Sequence, residues 1–163
     1  MGDQFAQLES VKQSNLALPR GERALLAIPN LERILLRALA SHPESAGFVC
    51  AATALEDQPT YFESLTSYSM LKNLAGRGAV DPLDVFPEGA SRTLLAQLLM
   101  NEKESVTSEE VNAAIATARQ TYLERRQREL RSAIAEAEKR GDWGQVATLT
   151  AEKLALDRKL REI

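Results

Sequence analysis

The feature that most limits the possible fold is a pair of helical segments joined by a very short turn near the C-terminus. The first segment opens with a capping box formed by Thr107 and Glu110, in which each side chain satisfies a free backbone N–H of the first turn. It stays helical until Gly141 ends it, and Asp142 caps a second helix that starts at Trp143. Helices joined by so short a turn must lie antiparallel. The sequence therefore predicts a C-terminal helical hairpin.

Upstream of the hairpin, the sequence predicts a bundle of helices over residues 21–123. Apolar side chains recur at three- and four-residue steps in several segments, separated by prolines or glycines: 22–28, 31–41, 45–55, 59–75 and 90–101. Asn30 and Asp57 are the expected N-caps of the second and fourth segments, and Gly76 with Gly78 is expected to end the fourth. Ala and Leu are abundant and aromatic residues make up only 5%. The expected fold class is all-α.

A polar stretch inside the long helix divides the chain into units. Residues 124–129 (ERRQRE) carry no apolar side chain on any face, which is typical of a helix that bridges two packed units through solvent. We therefore predict a multi-helix globular core over residues 21–123, a helical stalk over residues 124–129 and the hairpin over residues 130–163. Residues 1–20 are weakly patterned, and we expect a linker there, as in a piece of a longer protein.

Composition and charge limit the functions that the chain can have. Its 163 residues are 44% hydrophobic and carry a net charge of −3, so there is no overall attraction to nucleic acid or anionic lipid. The charge is unevenly distributed, with a net of −7 over residues 41–110 and +3 over residues 111–163. Cys50 is the only cysteine, and no apolar run approaches the roughly 20 residues needed to cross a bilayer. We expect a cytoplasmic protein with no membrane partner.

No group of residues in the sequence has the pattern of a catalytic or metal site. His42 is the only histidine and precedes a proline, while Cys50 lies among core-like residues. Gly76-Arg77-Gly78 lacks the spacing of a phosphate-binding loop. Two groups of acidic residues lie beside prolines and are better explained by helix capping: Glu56, Asp57 and Glu63, and Asp81 and Asp84. We expect no catalytic residue, no cofactor and no metal in this chain, which is therefore not expected to be an enzyme by itself.

The arginines within residues 125–131 suggest a nucleic-acid hypothesis. Phosphate binding requires a basic stripe that is not neutralised by neighbouring acids. Here Glu124 and Glu129 interleave with the arginines, and no aromatic side chain accompanies them for base stacking. An ion-paired, solvated helix is the favoured interpretation, and no direct nucleic-acid partner is expected.

The last helix has two apolar faces, although a two-helix hairpin can bury only one. Val146, Leu149, Leu156, Leu160 and Ile163, interrupted by Lys153, are expected to close the hairpin. An exposed apolar strip marks a partner surface, unless the hairpin folds back on the core and covers it. The residues expected to bind a partner lie on the second face: Trp143, Ala147, Thr150, Ala151, Leu154 and Arg158.

Three segments carry a resemblance to known proteins. The first is an opening helix that ends in a His-Pro-Glu turn (LERILLRALASHPE), and the second is a Tyr-Phe helix that ends in Gly-x-Gly-x-Val-Asp (YFESLTSYSMLKNLAGRGAVD). Together they resemble the helical scaffold shared by the N-terminal domain of bacterial replicative helicases and the C-terminal domain of bacterial DNA primases. The third, LRSAIAEAEKRGDWGQVATLTAEKLALDRKLREI, is similar to the end of many primases, where a Gly-Asp turn joins two helices. A helicase would instead continue into a linker and an ATP-binding motor.

The resemblance covers about residues 22–163 and implies a helicase-binding domain of a DNA primase, an enzyme that polymerises RNA primers on DNA. In that family the core modulates the replicative DNA helicase and the hairpin supplies much of the contact with its N-terminal domain, which couples priming to unwinding in the replisome. The zinc-binding region and the catalytic fold of primases are absent from this sequence, so no polymerising residue is carried over. Two alternatives stay open: the collar-forming N-terminal domain of a helicase, and a helical nucleic-acid-binding domain that uses the arginine-rich stalk.

Overall fold

The computed structural model describes residues 28–101 and 105–162, and this part of the chain contains helices and no strand. Its α-helices are α1 Asn30–Ala40, α2 Ala46–Asp57, α3 Tyr68–Ala75, α4 Ala90–Asn101, α5 Ser108–Arg140 and α6 Trp143–Arg161. Two short 3-10 helices, Pro59–Tyr61 and Pro82–Val85, precede and follow α3. The predicted all-α class is confirmed. The linker predicted for residues 1–20, and nearly all of the helix predicted for 22–28, lie outside the described residues.

Helix α1 is the centre of the core. It packs against α2, α3, α4 and α5. The wide apolar arc of this segment is what such a position requires, because every side of a central helix faces another helix. Four of its side chains are completely buried, namely Leu35, Leu36, Ala38 and Leu39. Buried side chains of the neighbouring helices surround them, among them Phe48, Ala51, Leu71, Leu74, Leu95, Leu98 and Val111.

Helix α1 starts one residue earlier than predicted. The carbonyl of Pro29 accepts the backbone N–H groups of Glu32 and Arg33, both at 3.1 Å, so Pro29 occupies the N-cap position. The predicted N-cap, Asn30, is instead the first residue of the helix, and no side chain caps it. Proline can occupy this position because the cap residue contributes its carbonyl, although its side chain offers no acceptor for the free N–H groups of the first turn.

The helix predicted over residues 59–75 is interrupted, and a buried carboxylate explains the break. Glu32 on α1 is only 2% exposed, and its Oε1 accepts hydrogen bonds from the backbone N (2.9 Å) and Oγ (2.7 Å) of Ser67. A buried carboxylate needs such donors, and the N–H that Ser67 gives to Glu32 is not available to a continuous helix. Phe62, fully buried, lies in the irregular stretch before α3. At the other end of this segment, the predicted cap Asp57 is the last residue of α2, and Gln58 occupies the N-cap position of the Pro59–Tyr61 turn.

The end of α3 also differs from the expected glycine stop. Gly76 follows the helix with φ −92°, which any residue adopts, and only Gly78 has the left-handed conformation, at φ 61°. Between them, the Arg77 guanidinium donates to the carbonyls of Leu39 (3.1 Å), Val80 (2.6 Å) and Ser41. Arg77 thus joins the end of α1 to the loop after α3, which is the structural role of the Gly-Arg-Gly segment.

Helix α2 approaches the start of α5 closely at Gly47. A Cβ atom placed on Gly47 would lie 2.9 Å from the carbonyl oxygen of Val106 and 3.7 Å from Cγ2 of Val111. Real Cβ atoms do not come so near a backbone oxygen, so glycine is required by this packing and not by its backbone conformation.

Helix α5 runs 33 residues, and α6 turns back along its C-terminal half. Thr107 caps α5 by accepting the N–H of Glu110 at 3.2 Å. Gly141 ends α5 with φ 70°, and the Asp142 carboxylate accepts the N–H of Gln145 at 3.1 Å to start α6. The caps predicted at both ends of α5 and at the start of α6 are thus present. These local interactions place α5 and α6 side by side and antiparallel.

Candidate functional site

The inner face of α6 closes against α5 with apolar side chains. Leu156 is 8% exposed and packs with Leu123 and Leu130 of α5, which are almost completely buried. Leu149 and Leu160 join this cluster and are half-buried. Three residues of the predicted closing face, Leu149, Leu156 and Leu160, therefore lie in the α5 contact. Val146 is half-buried, and Ile163 lies outside the described residues.

Polar side chains add a second seam between the two helices. Gln127 donates through Nε2 to Oδ1 of Asp157 at 2.7 Å, and Lys153 pairs with Oδ2 of the same carboxylate at 3.1 Å. The Lys153 and Gln127 hydrogen bonds hold the pKa of the Asp157 carboxyl below its usual range. The half-buried Lys153, which interrupts the apolar face in the sequence, therefore belongs to the hairpin seam.

The stalk prediction requires residues 124–129 to be surrounded by solvent, but in the structure this arginine-rich stretch contacts α6. The Arg126 guanidinium donates to Glu152 on α6 at 2.7 Å and to Glu129 at 3.2 Å, and these two hydrogen bonds raise the pKa of Arg126 above its usual value. Arg125 pairs with Glu129 at 4.0 Å. The stretch has no apolar side chain, but α6 is long enough to pass it and supplies polar partners. Contact between α5 and α6 begins at Leu123 instead of at residue 130.

The outer face of α6 carries the residues expected to bind a partner. Trp143 is 66% exposed and Leu154 is 55% exposed, and both belong to the few large apolar side chains exposed in the described part of the chain. The remaining residues of this set are also exposed: Ala147, Thr150, Ala151 and Arg158. Within residues 28–101 and 105–162, the hairpin does not fold back on the core to cover this face. We call these six residues the outer face of α6.

The other candidate residues have local structural roles. His42 accepts the backbone N–H of Glu44 through Nδ1 at 3.2 Å, and the Cys50 thiol donates to Oδ1 of Asn112 at 2.9 Å. Asp81 caps the second 3-10 helix by accepting the N–H of Leu83 at 3.0 Å. Within residues 28–101 and 105–162, no three His, Cys, Asp or Glu side chains come together as metal ligands would.

A cleft at the junction of core and hairpin was not anticipated from the sequence. It has a volume of about 420 Å³ and lies between the Pro59–Tyr61 turn and α6. Its lining combines apolar and aromatic side chains, namely Tyr61, Tyr122, Leu123, Leu130 and Leu156, with the charged side chains of Asp57, Arg126, Glu152 and Lys159. The sequence pattern placed Tyr61 on a long helix, whereas in the structure Tyr61 lies in a separate 3-10 turn that lines this cleft.

Comparisons with protein-family models, with curated proteins and with solved structures found no match for this chain. Among the described residues, no helix combines the length and the apolar character that crossing a membrane requires.

Proposed function

We propose that this chain is a protein-binding domain of a bacterial DNA primase, and that the outer face of α6 docks on the N-terminal domain of the replicative DNA helicase. The proposed organisation is a helical core joined by a long helix to a hairpin that presents this face. The observation that carries the proposal is the exposure of Trp143 and Leu154 on a helix whose opposite face is already buried against α5. The choice of partner rests on the sequence resemblance to primases.

The outer face has the composition of a contact site in which a few residues dominate the affinity. Tryptophan is enriched among the residues that contribute most to binding, because its large ring is held by few rotatable bonds. Ala147 and Ala151 lie one and two turns beyond Trp143, so a partner helix can approach the α6 backbone closely between Trp143 and Leu154. Complete burial of a leucine side chain is worth about 1.5–3 kcal/mol, and Leu154 retains more than half of that surface for a partner.

Under this proposal the fragment binds and does not catalyse. Primer synthesis would belong to other domains of the same primase, and the role of this domain in the replisome would be to hold that activity at the unwinding fork. The arginines support protein binding better than nucleic-acid binding, since Arg125 and Arg126 are both ion-paired with glutamates.

Titration of the purified chain with the N-terminal domain of the helicase from the same organism tests the proposal, with fluorescence of Trp143 as the signal. We expect saturable binding and a change in Trp143 emission, because the ring leaves water in the complex. A parallel gel-shift titration with single-stranded DNA is expected to show no complex at 150 mM salt. Binding to DNA but not to helicase would support the nucleic-acid alternative, and strong self-association without helicase binding would support the collar alternative.

A further inference from the structure

The described part of the protein contains two clusters of buried apolar side chains, and Tyr61 is the described side chain that packs against both. The larger cluster is the core around α1, and the smaller one is the hairpin cluster of Leu123, Leu130 and Leu156. Tyr61 is half-buried and reaches from the 3-10 turn Pro59–Tyr61 to α5. Tyr61 is therefore in contact with both clusters.

Aromatic and cationic groups surround the Tyr61 ring. Its centroid lies 5.3 Å from that of Tyr122 on α5, with the ring planes at 66°, an edge-to-face arrangement that aromatic pairs favour. The Arg119 guanidinium lies over the Tyr61 ring at 5.9 Å, and Arg125 lies over the Tyr122 ring at 5.9 Å. Within the described residues, Nε of Arg119 is buried without a hydrogen-bond partner, and the guanidinium lies against the face of the Tyr61 ring.

The hairpin has little other support from the core. Helix α6 packs along α5 and makes few contacts with the other described helices, and the cleft of about 420 Å³ separates it from the Pro59–Tyr61 turn. On α5, the last residue buried in the core cluster is Ala118 and the first buried in the hairpin cluster is Leu123. Between these two residues, α5 contacts the Pro59–Tyr61 turn through the edge-to-face pair of Tyr61 and Tyr122 and through Arg119 over the Tyr61 ring.

We propose that the Tyr61–Tyr122 contact, which we call the joint, holds the hairpin in one direction relative to the core. Tyr61 is then a positioning residue for the outer face of α6. When this contact is absent, α5 is free to bend between Ala118 and Leu123, where none of its residues is buried in either cluster, and the direction of the hairpin relative to the core varies. The joint is a property of the free chain. Only its consequence for docking rests on the proposed function.

The expected movement is large enough to measure. An α-helix rises about 1.5 Å per residue, so a bend of about 20° near residue 119 displaces residue 138 by about 10 Å. Spin labels at Asn73→Cys on α3 and Glu138→Cys on α5, both exposed, report this displacement in a Cys50→Ser background. Double electron–electron resonance on the free protein then gives the distribution of distances between core and hairpin, without any partner.

Four variants in this labelled background test whether the Tyr61–Tyr122 contact holds the hairpin in place. Tyr61→Phe keeps the ring and is expected to retain the narrow distribution of the parent, whereas Tyr61→Ala is expected to broaden it and to shift it by up to about 10 Å. Tyr122→Ala breaks the same contact from the α5 side, outside the core cluster, and decides the matter if Tyr61→Ala does not fold. Tyr68→Ala is the matched control, because Tyr68 is a half-buried tyrosine that packs only on the core cluster.

The proposal is overturned if Tyr61→Ala, or Tyr122→Ala where the former does not fold, keeps the narrow parental distribution. It is also overturned if Tyr68→Ala broadens the distribution as much as the joint variants do, because general loosening of the core would then be the cause. Failure of helicase binding in the parent chain would refute the proposed function and leave these distances unaffected.

Discussion

Leu154→Asp separates the folding role of α6 from its binding role. Leu154 is 55% exposed, so slightly less than half of its side chain is buried in the free protein. Losing that burial costs about 1 kcal/mol, and the lower helix propensity of Asp adds about 0.5 kcal/mol. The carboxylate itself stays hydrated in the free chain. We therefore expect a loss of stability of about 1.5 kcal/mol and a hairpin that remains folded.

The same substitution should weaken docking much more. In a complex that covers the outer face, the new carboxylate would be buried without a partner, and its desolvation costs several kcal/mol. A loss of only about 2.8 kcal/mol already lowers the affinity a hundredfold. Isothermal titration calorimetry with the helicase N-terminal domain gives the affinity, and thermal unfolding followed by circular dichroism gives the stability.

Two control variants on α6 make the comparison interpretable. Leu156→Asp puts the same charge at a position that is 8% exposed in the hairpin interior, and we expect it to cost about 4 kcal/mol and to unfold the hairpin. Thr148→Asp adds the same charge at an exposed position outside the outer face, and we expect parental affinity. The reasoning is refuted if Leu154→Asp binds as tightly as the parent, or if it unfolds the hairpin as Leu156→Asp does.

Three further predictions concern stability. The hydrogen bonds from Lys153 and Gln127 depress the pKa of Asp157 in the folded state. The stability that these hydrogen bonds contribute is therefore present above the pKa of the unfolded state and is lost as the pH falls through the pKa of the folded state. The melting temperature should drop more between pH 5 and 2 in the parent than in Asp157→Asn. Gly47→Ala should destabilise by about 1–3 kcal/mol in urea unfolding, because the Cβ meets a backbone carbonyl, whereas an unhindered helical glycine would gain stability. Glu32→Ala should cost about 2–3 kcal/mol by removing both hydrogen bonds to Ser67, and parental stability would show that this carboxylate is dispensable.

The elements that the sequence predicted correctly are those governed by neighbouring residues. The Thr107 cap, the Gly141 stop and the Asp142 cap each depend on interactions within about four residues, so the bounds of α5 and the start of α6 could be derived without the rest of the fold. The two-faced character of α6 is also local, because helical periodicity alone separates Leu156 from Leu154.

The tertiary structure decided where distant segments interrupt these local patterns. Apolar spacing supported one helix over residues 59–75, but Glu32, more than thirty residues away, binds the Ser67 N–H and breaks it. That break leaves Tyr61 in a separate turn, where it contacts α5 and forms one wall of the cleft. The polar stretch 124–129 gave no sign that α6 reaches back to it, since the partners Glu152 and Asp157 are identified only by the antiparallel register. Periodicity reports which residues share a face of one helix, whereas the partner of that face depends on the packing of the whole chain.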